Sequence, residues 1–118
     1  MTYVDGFLLV VPKKKLKTYR QMAEMGRKMW KKHGALDFKE CAGDDLQVDP
    51  DCGLPFPRLL KLKPGETAMF SFIVYKSRAH RDRVNAKVMK EMEKMEMPKE
   101  MPFDMKRMAH GGFKTIVE

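Results

Sequence analysis

The 118-residue sequence predicts an α+β fold of the ferredoxin-like kind: a four-stranded antiparallel sheet, ordered βαββαβ, with both helices on one face. Three observations predict it. Residues 66–95 read as one strand running straight into one helix. Residues 3–33 repeat that pattern, with an apolar strand followed by a basic amphipathic helix. Two further alternating segments follow, 35–43 after residues 3–33 and 107–117 after residues 66–95.

In chain order, Tyr3 to Val11 is the first strand, with Tyr3, Asp5, Phe7, Leu9 and Val11 on one face and Val4, Gly6, Leu8 and Val10 on the other. An acid in mid-strand is unusual, and Gly6 beside it predicts a bulge or a close approach by another group. Lys13 to His33 is the first helix. Leu16, Tyr19, Met22, Ala23, Gly26, Met29 and Trp30 fall in one arc and Lys17, Arg20, Arg27, Lys28, Lys31 and Lys32 in the opposite one. Gly34 supplies the stop. Ala35 to Gly43 alternates as the second strand, with Leu36, Phe38 and Glu40 on one side. Asp44 to Pro57 is a loop, and Leu59 to Leu62 reads as a short extended piece before the Pro64-Gly65 turn.

The third strand, Ala68 to Ser77, is rich in aromatic and β-branched residues on both faces, as expected of a strand inside a sheet. Ser77 offers an N-cap oxygen to the second helix, whose stripe is Val84, Val88, Met92 and Met95. After a loop marked by Pro98 and Pro102, Arg107 to Val117 is the last strand, interrupted by Gly111-Gly112. Two helices cover only one sheet face. The other face also carries apolar side chains, so a second copy is its expected cover, and the expected assembly is a homodimer.

The totals bound the class. The length suits a single domain with a real core, and 43% hydrophobic residues is ordinary for a globular chain. The run Phe7–Val11 is too short for a signal-peptide core and no run approaches a membrane span, so the cytoplasm is the expected compartment. Cys41 and Cys52 are expected as free thiols. The net charge of +8 resides in residues 13–32, which hold nine Lys/Arg and the single acid Glu24; the rest of the chain is neutral.

V-D-G-F near the start, H-G-A-L at 33–36, S-R-A-H-R-D-R-V-N-A-K-V-M at 77–89, M-P-F-D-M-K-R-M at 101–108 and G-G-F-K at 111–114 resemble the YbaA-like family. This is a group of small bacterial proteins of unknown function, placed with the dimeric α/β-barrel superfamily. The resemblance implies ferredoxin-like subunits whose sheets face each other across a dimer barrel. Related barrel families include cofactor-free monooxygenases, small-ring isomerases and haem enzymes, so the fold selects no chemistry. The family brings no established catalytic residues, and this sequence departs from it mainly in its Met-rich stretch around 89–101.

The most informative constellation lies on the second helix. Arg81 and Asn85 fall on or beside its apolar stripe, which turns them toward the sheet. A guanidinium held there needs a carboxylate, because an unpaired buried charge costs about 3–5 kcal/mol. Asp5 and Glu40 are the candidates. Two readings stay open: a structural ion pair, or an anion-holding pocket where Arg78, His80 and Arg81 add charge to the helix N-terminus. His80 and His110 are the candidate acid–base residues, since imidazole titrates near neutrality. His33 reads as a favourable charge at a helix C-terminus.

No cofactor is expected. Asp44, Asp45, Asp49 and Asp51 lack the spacing of a calcium loop, and the seven methionines between 89 and 108 read as adaptable packing rather than a soft-metal site. The basic arc suggests nucleic acid as an alternative partner. Its aromatics, Tyr19 and Trp30, lie on the opposite face, so no base-stacking platform accompanies the charge. The preferred expectation is binding, with or without turnover, of a small anionic or polar organic molecule.

Overall fold

Strand β1 (Tyr3–Pro12) is the hub of the sheet, pairing antiparallel with β3 (Glu66–Tyr75) along its whole length and with β4 (Ala109–Lys114) over Tyr3–Leu8. β2 (Asp37–Ala42) pairs with the far side of β3, so the sheet order is β2-β3-β1-β4, the ferredoxin-like order, with β2 and β4 as edges. The computed structural model describes residues 1–96 and 98–118. Met97, one of the seven methionines expected as packing, lies outside the described residues.

Helices α1 (Leu16–Lys32) and α3 (Arg78–Met92) lie on one face. The N-terminus of α3 forms where expected: Ser77 is extended and its hydroxyl accepts the His80 N–H at 3.1 Å. At the end of α1, Gly34 takes φ +113°. The Ala35 N–H then reaches the Trp30 carbonyl and the Gly34 N–H that of Lys31, which satisfies two orphan acceptors. Between helices and sheet, Ile73, Tyr75, Val84, Val88 and Ala35 form one buried cluster and Leu9, Val11, Tyr19 and Met69 another. Each large apolar side chain there contributes about 1.5–3 kcal/mol.

The third strand forms over Glu66–Tyr75, two residues ahead of the 68–77 expected, and three other places differ more from the sequence reading. The segment Leu59–Leu62 is not extended: a short helix α2 (Phe56–Leu59) forms instead, because Pro55 and Pro57 hold φ at helical values through its first turn. It drives Leu60 onto Val10 and Ala68, so one end of the second sheet face is covered from within the chain. β2 starts only at Asp37, because Ala35 closes the α1 terminus. β4 starts only at Ala109, since Asp104 caps a 3₁₀ turn over Met105–Arg107 and pairs with Arg107, which also reaches Glu66.

Beyond Leu60 that second face is open. Val4, Leu8, Phe72 and Val74 are half-buried, and Phe70 and Phe113 are 47% and 63% exposed. Gly6 causes no bulge. The Phe113 ring lies 3.6 Å from where its Cβ would be, which is the close approach that a mid-strand glycine implies. The chain is accordingly a slab of 40 × 39 × 20 Å, one helix layer on one sheet.

Candidate functional site

Arg81 turns inward because it lies one turn ahead of Asn85 and Val84 on the face of α3 that packs on the sheet. Of its two candidate partners, the structure selects Asp5: Nε lies 3.3 Å from the carboxylate, and the side chains are only 23% and 12% exposed. That Nε–H is buried and makes no aligned hydrogen bond, so the contact with Asp5 is a charge attraction. The other guanidinium nitrogens bond the Tyr3 hydroxyl at 3.0 Å and pair with Asp82 at 3.1 Å, and the guanidinium lies 5.0 Å over the Tyr3 ring. Gly112 sits opposite Asp5 on β4, and a Cβ there would overlap both Tyr3 and Arg81. The glycine is what lets the two side chains meet above the sheet.

Asn85 completes the inner side of this network. Its amide oxygen accepts from Trp30 Nε1 and from the Tyr75 hydroxyl, both at 3.0 Å, tying α1, β3 and α3 together. Burial, then the negative charge of Asp5, pushes the Tyr75 hydroxyl well above its ordinary pKa, so it stays a proton donor.

At the outer side, Thr2, Tyr3, Ser77, Arg78, Gly112 and Lys114 line a pocket of about 450 Å³ beside the α3 N-terminus. Arg78 and Lys114 bring two cations to it, and Tyr3, which also lines it, is held by Arg81 from outside the lining. The Glu118 carboxylate accepts the Thr2 N–H at 3.2 Å.

The two histidines do not converge. His80 Nδ1 accepts the Lys76 N–H at 2.9 Å and its ring meets Tyr75 edge-on, on the Gly34 side of α3. Partial burial, reinforced by Lys76, Arg83 and Lys87, holds its pKa below the ordinary histidine value, consistent with an acceptor nitrogen. His110 is exposed on the edge strand β4 and stacks on Phe7 with centroids 5.7 Å apart. His33 pairs with Glu91, which Lys32 also reaches at 2.7 Å.

Glu40 stands apart from Arg81, under α1. Its carboxylate accepts the Tyr19 hydroxyl at 2.7 Å and lies across the β2–β3 ladder from Ser71. Burial raises its pKa against the opposing pull of the Tyr19 and Ser71 hydroxyls. An acid with a raised native pKa binds more protons folded than unfolded. Its contribution is therefore fully present below the unfolded value and is lost as pH rises through the native one. Stability of the wild type relative to Glu40→Gln is expected to fall over that window when urea midpoints are followed upward from pH 4. Identical pH profiles for the two proteins would show that the Glu40 environment imposes no such penalty.

Among the described residues, no group of three His, Cys, Asp or Glu is placed to hold a metal ion. Asp49 instead caps the turn at Pro50–Cys52, and Cys41 and Cys52 are exposed free thiols. On the basic arc, Arg27 is paired with Glu24, Lys32 with Glu91, and Lys31 with the Leu36 carbonyl. No helix among the described residues is long and apolar enough to cross a membrane.

Sequence reasoning missed Tyr3, Lys114 and Gly112 at the pocket, and Tyr19 beside Glu40. The side of the first strand that carries Asp5 also carries Tyr3, which was a usable signal. Lys114 and Gly112 needed the β1–β4 register.

The chain is similar to known proteins over its whole length. The chain is 40% identical over 119 residues to the uncharacterized protein YbaA of Escherichia coli K12, covering 100% of this chain and 99% of that protein. The same figures hold for YbaA of Escherichia coli O157:H7 and of Shigella flexneri. Among solved structures it is similar to the de novo designed protein Foldit4, with a TM-score of 0.47 and 10% identity over both chains in full. Residues 2–105 match the family model described as "Protein of unknown function (DUF1428)", and to that family, with the YbaA proteins, the chain belongs.

Proposed function

We propose that the protein binds a small anionic organic molecule in the pocket beside the α3 N-terminus. The observation that carries this reading is the convergence of Arg78, Lys114 and the Tyr3 hydroxyl around Gly112, in a pocket with no carboxylate among its lining residues. Ser77 and the first turn of α3 add the positive end of the helix dipole. Arg81 stands behind them as a positioning residue, since Asp5, Asp82 and Tyr3 already engage it. The reading is one of binding, because neither imidazole lines this pocket.

Calorimetric titration with succinate, and with its uncharged diamide succinamide, tests it. Succinate should bind and the diamide should not, and Arg78→Ala or Lys114→Ala should each weaken binding by about tenfold, the scale of a charged hydrogen bond. Equal affinity for both compounds, or no response of succinate affinity to either substitution, would remove the proposal.

The same reading includes a second copy over the open sheet face. The radius of gyration is 15.4 Å against about 13.5 Å for a compact domain of this length. Phe70 and Phe113 stand exposed on the open sheet face, a broad side of the slab. Light scattering is expected to return twice the 13.8 kDa chain mass, and Phe70→Asp to return the monomer. A wild-type monomer that persists on concentration would rule the pairing out.

A further inference from the structure

A second cleft, at the opposite edge of the sheet, is used by neither the anion pocket nor the open face. It lies between α1 and the free edge of β2 and measures about 590 Å³. Its walls are Leu16, Ala23, Phe38, Ala42 and Met69, and its polar floor is Glu40 with Tyr19. Tyr19 is 3% exposed and donates its proton to Glu40 at 2.7 Å, so the hydroxyl is committed to that acid. Among the described residues, the other polar partner of the carboxyl is the buried Ser71 across the ladder. Among the described residues, no Lys, Arg or His lies within ion-pair distance of Glu40.

This contrasts with the other sheet-facing acid. Asp5 has a guanidinium of its own, whereas Glu40 has two neutral hydroxyls at the bottom of an apolar cleft that opens to solvent. A carboxylate in that position is a charge without its counter-charge. Its negative charge is most stabilised by a cation that enters with an apolar body. A ring wall supplied by Tyr19 and Phe38 favours the same class of ligand. Arg20 and Arg27 on α1 and Lys39 on β2 also line the cleft, but Arg27 is paired with Glu24 and Lys39 with Asp37, so two of the three like charges already have counter-charges. Those neighbours favour a singly charged cation over a multiply charged one.

We propose that this cleft binds an organic ammonium ion, with the charged head on Glu40 beside the Tyr19 hydroxyl and the apolar body along Leu16, Ala23, Phe38 and Met69. The site is independent of the anion pocket in residues, place and sign of charge.

The test is a calorimetric titration of the full chain with n-hexylammonium, n-hexanol and hexanoate. The ammonium ion should bind saturably, and the alcohol about tenfold more weakly or worse, as expected for loss of a charge-assisted hydrogen bond. Glu40→Gln should bring ammonium affinity down to the alcohol's level. Ala23→Trp, which fills the cleft and leaves the carboxyl in place, should abolish binding and keeps the test decisive if Glu40→Gln folds poorly. Tighter binding of hexanoate than of the ammonium ion, no saturable ammonium binding, or ammonium affinity unmoved by Ala23→Trp would each overturn the assignment.

Discussion

Replacing Arg81 by Met is expected to lower the unfolding free energy by about 2–4 kcal/mol, while Arg83→Met changes it by about half a kcal/mol or less. The two arginines share a helix and differ in what they leave behind. Arg83 is exposed and pairs with no acid among the described residues. Arg81 leaves Asp5, only 12% exposed, in the middle of β1 with Ile73 and Gly112 as its cross-strand neighbours. The Tyr3 hydroxyl loses its donor at the same time. Because the Arg81 side chain keeps 23% of its exposure, water reaches one side of the pair and the lower half of the range applies. Urea denaturation of the two single variants measures the difference.

The partner assignment is tested in the same series. Arg81→Met combined with Asp5→Val should recover part of the loss, since no charge is then stranded. Arg81→Met combined with Glu40→Gln should behave as the sum of two separate changes, because Glu40 answers to Tyr19. Wild-type stability in Arg81→Met would mean that the guanidinium contributes to ligand binding alone.

Why Asp5 and not Glu40 could not be read from the sequence is a matter of lateral order. Both acids have the right parity to face the helices. Only the order β2-β3-β1-β4 puts Asp5 under α3 and Glu40 under α1. Period and caps are local signals, which is why the third strand (read as 68–77, formed over 66–75), the Ser77 cap and the inward turn of Arg81 were legible. The position of Lys114 was not, since it depends on the β1–β4 register, which pairs it with Tyr3 at the other end of the chain. The proline-driven turn at Phe56–Leu59 shows the converse failure: the run from Leu59 was read as extended although Pro55 and Pro57, just before it, favour helical φ. His80 was legible in a different role from the one assigned to it. A residue three beyond a serine N-cap is placed to reach back to the preceding backbone, and its imidazole does so at the Lys76 N–H.

The second large effect is expected at a residue with no side chain. Gly112→Val should destabilise by about 2–3 kcal/mol, the cost of overpacking a filled space, and should also remove anion binding. A Cβ on Gly112 would lie 2.9 Å from Tyr3 Cε1, with the Tyr3 hydroxyl and Arg81 Nη2 nearer still. Neither end can simply swing away: the Tyr3 ring lies under the guanidinium, and the guanidinium is held by Asp5 and Asp82. Moving either one breaks the network behind the pocket. Valine is a better strand residue than glycine, worth up to about 1 kcal/mol in the opposite direction, so a net loss reports the clash and not the backbone. The neighbouring glycine is the internal control. A Cβ on Gly111 would meet only the Phe113 ring at 4.0 Å, an ordinary contact, so Gly111→Ala should melt like the wild type. In the Arg81→Met background the shorter, uncharged side chain can give way, and Gly112→Val should then cost distinctly less than in the wild type. Equal costs in both backgrounds would place the strain in β4 itself and detach Gly112 from the Arg81 network.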